Sequence, residues 1–462
     1  MLPFPCDLLI TGGTLVCGPD RTSVLRDGAV AITGDSIVAV GPSEELIRGH
    51  APRRILSAGD GIVMPGLINT HNHSPLKIVR GIAPDLGFAP AYIKGIPQGD
   101  ALSADDALAL SRLGNLELLL RGTTTVVDHY QHAEACARAT DELGLRAFVG
   151  GRILDTDVEA LARGEWRRDP ARGERTIRDT LDVHERWDGH DGGRIRGIIA
   201  AHAPDTCSTE LLAEVRDLAA SKRSQVHLHL AQSAIEVDQV TERTGRHPVD
   251  LIDSLGLLND SLIAAHCICV DREQARRMGE ARIGIAHTPV GNAQGCMSAP
   301  MWPLHEAGAM VSLCTDSKSG DMFEVMRAAL WVARLRGAAF DVRAETVLGW
   351  ATVGGASALG LGHCLGLIAP GYKADLLVLD SAAPGLHPLV DPIGTLVHCG
   401  AGHDVRHVII AGHMVVEDRA PTRVRPGEVI AEGQRVAERL WQQSGHRLPS
   451  RSAATARETL AP

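Results

Sequence analysis

The sequence has few aromatic residues and no excess of positive charge. Phenylalanine, tyrosine and tryptophan make up 3% of its 462 residues. Stacking platforms for the bases of single-stranded nucleic acids are therefore scarce. The formal net charge of -10 offers no basic surface for a phosphate backbone. We therefore expect neither DNA nor RNA as a partner.

Long apolar runs and paired cysteines are also missing. No apolar stretch is long enough to span a bilayer, and residues 6–10 open the chain without a charged and then apolar leader. The ten cysteines are scattered and form no CxxC pair; Cys267 and Cys269 are the closest two. We expect reduced cysteines in a cytoplasmic protein that has no membrane partner.

The alternation of strand-like and helix-like segments predicts an α/β fold. Residues 7–62 are short β-rich runs separated by turns, and from Gly66 such runs alternate with amphipathic helical segments. Eight strands alternating with helices predict a (β/α)8 TIM-like barrel. A doubly wound open sheet is the alternative, but no GxGxxG follows any of the strands. The eight β-rich runs end near His73, Tyr130, Leu154, Ala203, Ala231, Val270, Asn292 and Ser317.

The C-terminal part of the chain returns to β character. Residues 405–416 predict a hairpin with Ala411-Gly412 at its turn, and a helix follows from about Glu428 to Gln443. Because chain termini often lie close together, these strands are expected to complete the N-terminal β unit. We predict a composite β-sandwich from residues 1–64 and 364–425. A barrel over residues 65–363 is inserted in it, and a helix and tail cover residues 426–462.

Histidines occur at the same relative position on successive predicted strands. His71 and His73 are two residues apart, so both side chains point to one face of the first strand. Active residues of such barrels lie at the C-terminal ends of the strands. Imidazole and carboxylate groups that meet there predict a divalent metal centre. The other polar candidates at strand ends are Asp128, His129, His202, His229, His266, His287, Asn292 and Asp316.

These residues resemble the amidohydrolase superfamily, and within it the branch of triazine hydrolases and adenosine-type deaminases. The resemblance covers nearly the whole chain. It implies one divalent metal ion per subunit, held by His71, His73, His229 and Asp316, and a role for His266 in contacting the attacking water or the substrate. The motifs that carry it are Pro65-Gly-Leu-Ile-Asn-Thr-His-Asn-His73, Gly122-Thr-Thr-Thr-Val-Val-Asp128, His202-Ala-Pro-Asp-Thr-Cys-Ser208, His227-Leu-His-Leu-Ala231, Ala265-His-Cys267, Cys314-Thr-Asp316 and Gly371-Tyr-Lys-Ala-Asp-Leu376.

The chemistry of this ligand set agrees with a hydrolase. Three neutral imidazoles and one carboxylate leave a coordination position for water, whose pKa a divalent ion lowers from about 15.7 toward roughly 7. Asp316 can take the proton of that water and pass it to the leaving group. Zinc is the expected metal, and iron, manganese or cobalt would also suit these ligands. Two-metal members of the superfamily use a lysine on the fourth strand, and residues 194–202 contain none.

The chain departs from this branch at Gln232. Relatives of this branch have His-x-x-Glu, whose glutamate protonates a ring nitrogen, whereas this chain has His229-Leu-Ala-Gln232. A glutamine amide forms hydrogen bonds but has no proton of useful pKa. We therefore expect an acyclic carbonyl substrate, which is an amide, an N-substituted urea, a carbamate or a thiocarbamate. In this respect the chain resembles the subgroup of phenylurea and molinate hydrolases. Gln232 is one of the predicted catalytic residues, with His266 and Asp316.

Two alternatives and several binding predictions stay open. The chain could be a deaminase or dechlorinase of an aminated heterocycle such as a purine or s-triazine, with another group protonating the ring. A non-catalytic scaffold is the third reading, against which the intact ligand set argues. We expect a small-molecule substrate and a homo-oligomer. The residues predicted to contact the substrate are His129, His202, His287 and Asn292, with Phe88 and Tyr92 from the segment after strand one.

Overall fold

The N-terminal segment forms one part of a mixed sheet. The computed structural model describes residues 3–86, 95–161, 163–317 and 319–445, so Phe88 and Tyr92 lie outside the described residues. Strand β1 pairs with β2 in antiparallel register and with β4 and β5 in parallel register. The elements are β1 (Phe4–Val16), β2 (Val24–Thr33), β3 (Ser36–Pro42), α1 (Ser43–Gly49), β4 (His50–Ser57) and β5 (Ile62–Pro65).

The central part of the chain is the predicted barrel of parallel strands. Its strands are buried on both faces, as their nearly continuous apolar sequences require. The fourth barrel strand consists of two short pieces on either side of Ile198. The strands are β6 (Leu67–Asn72), β7 (Thr123–His129), β8 (Arg146–Gly150), β9 (Ile195–Gly197), β10 (Ile199–Ala200), β11 (Val226–Leu230), β12 (Leu262–His266), β13 (Gly284–His287) and β14 (Met310–Leu313).

Polar side chains join the first and last barrel strands. The hydroxyl groups of Thr70 and Ser312 lie 2.7 Å apart, and the Asn69 amide donates to the Thr315 hydroxyl over 2.6 Å. Between β8 and β11, the Ile198 N–H donates to the Val149 carbonyl over 3.0 Å, which joins the two-piece fourth strand to β8. The (β/α)8 prediction is confirmed.

Helices separate the strands and cover the barrel. A capping box begins the helix that starts at Ala104, because the Ser103 hydroxyl accepts the Asp106 N–H and the Asp106 carboxylate accepts the Ser103 N–H. No helix among the described residues has the length and apolarity of a transmembrane segment. The helices are α2 (Ala104–Leu120), α3 (Ala133–Leu143), α4 (Val158–Leu161), α5 (Pro170–Trp187), α6 (His190–Gly193), α7 (Thr209–Lys222), α8 (Ala234–Thr244), α9 (Pro248–Ser254), α10 (Arg272–Glu280), α11 (Pro289–Gln294), α12 (Met301–Glu306), α13 (Met322–Ala333), α14 (Ala344–Gly349) and α15 (Gly355–Ala358).

The C-terminal strands join the N-terminal sheet. This nine-stranded sheet of the described residues has β15 (Leu376–Leu379) paired with β5. The hairpin turn contains Ala411 and Gly412, both with positive φ, as a type I′ turn requires. The predicted domain limits at residues 64, 363 and 425 stay predictions. The remaining elements are β15 (Leu376–Leu379), α16 (Pro392–His398), β16 (Val405–Ile410), β17 (His413–Glu417), β18 (Ala420–Pro421) and α17 (Pro426–Gln443).

A buried ion pair connects the barrel to this sheet, and its loss should destabilise the fold. Arg146 Nε and Nη2 donate to the Asp375 carboxylate over 2.7 and 3.0 Å. We expect Asp375→Ala to lower the free energy of unfolding by about 3–5 kcal/mol, because it leaves a buried guanidinium without its partner. Denaturant titration measures this. The control Glu280→Ala removes an exposed partner of Arg276 and should change little; equal losses in both variants would contradict the prediction.

Candidate metal centre

Four predicted ligands meet at the carboxyl end of the barrel. His71 and His73 lie at the end of β6, His229 lies in β11, and Asp316 follows β14 by three residues. His73 Nε2 and His229 Nε2 are 3.2 Å apart. Asp316 Oδ1 is 3.8 Å from His71 Nε2 and 3.9 Å from His73 Nε2. His71, His73 and Asp316 therefore form one cluster of possible ligand atoms, with His229 beside His73, and the role of all four as ligands stays a prediction.

Hydrogen bonds to backbone carbonyls determine which nitrogens face that cluster. The Nδ1–H groups of His73 and His229 donate to the carbonyls of His129 and His202, each over 2.6 Å. In the neutral rings Nε2 therefore has no proton, and two lone pairs face each other. His71 Nε2 is also buried and has no hydrogen-bond partner among the described residues.

These donors fit a divalent cation. Ligands in a tetrahedral zinc site with bonds near 2.1 Å lie roughly 3.4 Å from one another, close to the separations observed here. Burial lowers the pKa of His73 to about 4. Burial also holds the pKa values of His71 and His229 well below their usual range. All three rings are therefore neutral at pH 7, as metal binding requires.

The second nitrogen of His71 is enclosed by two further histidines. His71 Nδ1 lies 3.3 Å from His227 Nε2 and 3.3 Å from His129 Nε2. All three rings are fully buried, and the His227 ring is stacked on His71 at an interplanar angle of 14°. His227 thus lies behind His71, where it can fix the orientation of that ring.

His266 packs against the candidate ligand His229, and two polar side chains hold its ring in place. Its ring is stacked on His229 with centroids 5.3 Å apart. On its far side, His266 Nδ1 lies 2.8 Å from the Thr288 hydroxyl and 3.1 Å from Asn292 Oδ1. His266 and Asp316 both have positive φ, at 72° and 53°. Positive φ is strained for both residues, and such strain at polar positions is typical of a functional site.

Comparison with known proteins agrees with this geometry. The model of the amidohydrolase family matches residues 62–415. A 5-methylthioadenosine/S-adenosylhomocysteine deaminase of Pelotomaculum thermopropionicum is 34% identical over 443 residues, which cover 94% of this chain and 99% of the relative. The chain belongs to the amidohydrolase family.

Solved structures resemble this amidohydrolase over almost its whole length. An adenosine deaminase from Xanthomonas campestris with bound zinc has a TM-score of 0.86 and 29% identity, and the match covers 96% of this chain and 100% of that one. An atrazine chlorohydrolase from Arthrobacter aurescens, complexed with zinc, has a TM-score of 0.80 and 21% identity over 93% and 100% of the two chains. The second likeness shows the fold alone.

The amidohydrolase has a cavity of about 680 Å³ lined in part by His202, whose ring lies 5.0 Å from that of the candidate ligand His229. Arg152 forms part of this wall: its guanidinium contacts His202 Nε2 and lies 5.3 Å from the centre of the Tyr130 ring. Arg152 Nε is buried and has no hydrogen-bond partner among the described residues. Sequence reasoning missed Arg152, although it follows β8 by two residues, as the other candidates follow their strands.

The other residues that were predicted to contact the substrate lie in different surroundings. His202 lines the cavity, whereas Asn292 contacts His266 and the His129 ring contacts His71. His287 is buried in β13, and burial lowers its pKa to about 3. Their contacts with a substrate stay predictions, as do those of Phe88 and Tyr92.

The loop after His73 is fixed by Asp128, which the sequence analysis named as a strand-end candidate without indicating its contacts. The buried Asp128 carboxylate accepts the Ser74 N–H over 2.9 Å and the Asn115 amide over 3.2 Å. Burial raises its pKa. Asp128 therefore holds the residue next to a candidate ligand, and its position directly before His129 at a strand end was the available signal.

The neutral buried histidines predict that the metal-free protein loses stability in acid. Burial lowers the pKa values of His227 and His287 to about 3 and that of His73 to about 4. Each has a pKa near 6.5 in the unfolded chain, which therefore binds protons below that pH when the folded chain does not. We expect the contribution of each of these histidines to the free energy of unfolding to be constant above about pH 7.5 and to fall by roughly 2 kcal/mol at pH 5.

Denaturant titrations of the metal-free protein at both pH values measure this loss. His287→Gln removes one of these groups and should make the pH dependence shallower. An equal free energy of unfolding at pH 7.5 and pH 5 would contradict the expected linkage.

Proposed function

We propose that this metal-dependent amidohydrolase cleaves the C–N bond of an acyclic amide, N-substituted urea or carbamate, or the C–S bond of a thiocarbamate. The supporting observation is Gln232, which follows His229 by three residues and cannot protonate a ring. Among the described residues, Asp316 supplies the only carboxylate within 4.0 Å of a ring nitrogen of the site histidines. One carboxylate suffices for an acyclic carbonyl, because the leaving nitrogen is the only atom that must gain a proton.

Each side chain of the candidate site has a separate role in this reaction. His71, His73, His229 and Asp316 would hold a divalent cation, which supplies Lewis acidity and an activated water at neutral pH. Asp316 accepts a proton from the water and returns it to the leaving nitrogen as the C–N bond breaks. Cleavage of the C–N bond gives an acid and an amine, and cleavage of the C–S bond of a thiocarbamate gives a carbamic acid and a thiol. His266, held by Thr288 and Asn292, orients the water or polarises the carbonyl.

The cavity supports a substrate that extends beyond the reacting bond. Its volume of about 680 Å³ is within the range of sites for small organic molecules. Arg152 Nε is buried without a partner among the described residues, and a buried N–H without an acceptor is costly. An oxygen acceptor on the substrate would satisfy this N–H, which favours carbonyl, carbamate or carboxylate substituents.

Deamination of an aminated heterocycle is the second candidate function. It is favoured by the relative from Pelotomaculum thermopropionicum, which is named 5-methylthioadenosine/S-adenosylhomocysteine deaminase and is 34% identical to this chain. In this case a group other than residue 232 must protonate the ring nitrogen. The two candidates differ in their products, since deamination releases ammonia and the proposed reaction on substituted amides and ureas releases an amine.

A substrate panel with one variant separates these candidates. We expect amine release from anilides, N-substituted ureas or carbamates, and no ammonia from aminopurines or amino-s-triazines. Gln232→Glu should not raise the rate, because an acyclic carbonyl needs no ring protonation. Gln442→Glu, an exposed change on α17, is the matched control. Ammonia release from a heterocycle that rises in Gln232→Glu would establish the deaminase instead.

The carboxylate of Asp316 should be required for both metal binding and turnover. We expect about one metal ion per chain, loss of activity on chelation and a rate loss of roughly 100- to 10,000-fold in Asp316→Asn. Asp341→Asn, an exposed change of the same type, should keep activity and metal. Metal analysis by mass spectrometry and steady-state kinetics measure these effects. Full activity of the metal-free protein would exclude the mechanism.

A further inference from the structure

The turn after β11 contains a buried carboxylate that the reaction above does not use. The chain passes from His229 through Ala231, whose φ is +48°, to Gln232 and the start of α8. Positive φ is unfavourable for alanine, so the surrounding structure must hold this turn in place.

Glu236 holds the turn through two backbone amides. Its Oε1 accepts the Ala231 N–H over 2.9 Å, and its Oε2 accepts the Gln232 N–H over 2.8 Å. The side chain is fully buried. One carboxylate therefore binds two consecutive peptide groups. They lie between the candidate metal ligand His229 and the side chain of Gln232, the residue at which this chain departs from its relatives.

This arrangement differs from an ordinary helix cap. Ser233-Ala-Ile-Glu236 has the sequence of a capping box, in which the glutamate would accept the N–H of the serine itself. The Ser233 hydroxyl does accept the Glu236 N–H over 3.1 Å, but the Glu236 carboxylate binds the two preceding residues instead. Ser233 alone caps α8, and Glu236 serves the turn.

The surroundings make this carboxylate costly. It has no salt-bridge partner among the described residues. Burial, and then the nearby Asp205 carboxylate, raise its pKa well above the usual range. If the site needed only a helix cap, a neutral hydrogen-bonding side chain would cost less free energy to bury. A carboxyl group has two acceptor oxygens and so serves both backbone N–H groups at once, which a glutamine amide cannot do.

We propose that Glu236 is a positioning residue, which sets the Ala231–Gln232 peptides so that the Gln232 side chain meets the substrate next to His229. Glu236 itself touches no substrate. This inference rests on the proposed function for its kinetic consequence, whereas the clamp on the two amides can be measured without turnover.

A double-mutant cycle tests the positioning role. We expect Glu236→Gln to lower kcat by about 10-fold or more with KM nearly unchanged, because one amide loses its acceptor. In a Gln232→Ala background the same change should cost less than about 2-fold, since the residue that it positions is gone. Ser233→Ala weakens the α8 cap without touching the clamp, and should lower stability while kcat is kept. If the fold-losses in kcat of Glu236→Gln and Gln232→Ala multiply in the double variant, the two residues act independently, and the proposal is overturned.

Hydrogen exchange of the peptide over residues 226–236 tests the clamp itself. We expect slow exchange of the Ala231 and Gln232 amides in the unchanged protein, faster exchange in Glu236→Gln, and no change at these amides in Ser233→Ala. Equal exchange in all three proteins would overturn the clamp. If Glu236→Gln does not fold, Glu236→Asp replaces it, because the shorter side chain keeps the charge but cannot reach both amides. Absence of turnover on every substrate would refute the proposed function and leave the exchange result decisive for the clamp.

Discussion

Two unprotonated imidazole nitrogens held 3.2 Å apart are the constraint on which the candidate site depends. The Nδ1–H of His73 and the Nδ1–H of His229 each donate to a backbone carbonyl, and this leaves both Nε2 lone pairs facing one point. Without a positive charge between them, such lone pairs repel each other. The barrel therefore builds a site that suits a cation and disfavours an empty state.

The barrel register determines this arrangement. The two accepting carbonyls belong to His129 at the end of β7 and to His202 just beyond β10. The contacts between β6 and β14 bring Asp316 to the same end, where its N–H donates to the His71 carbonyl over 3.1 Å. A one-residue shift of any of these strands would turn its ligand away from the site. Fold and candidate chemistry are thus linked through ordinary strand pairing.

Periodicity and strand-end position predicted most of the architecture. Apolar runs alternating with amphipathic helices indicated the barrel, and the i, i+2 spacing of His71 and His73 indicated a shared face. The predicted hairpin turn at Ala411-Gly412 was also confirmed. These features depend on local sequence, which is why they can be read without coordinates.

The contacts between distant segments were not predictable in this way. The Ser233-Ala-Ile-Glu236 motif indicates a cap, and only the coordinates show that its carboxylate binds Ala231 and Gln232. The Arg152 guanidinium at the cavity and the His227 ring behind His71 depend on how separate strands pack. Local patterns specify which residues reach the end of a strand, whereas rotamers and neighbours decide what each residue contacts there.

The central claim is that these four side chains form one cation site, and anomalous diffraction from a crystal of the zinc-loaded protein tests it most directly. The account predicts a single strong anomalous peak within bonding distance of His71 Nε2, His73 Nε2, His229 Nε2 and an Asp316 oxygen, about 2.0–2.2 Å from each. A peak elsewhere, or no peak between these four groups in a fully loaded crystal, would contradict it.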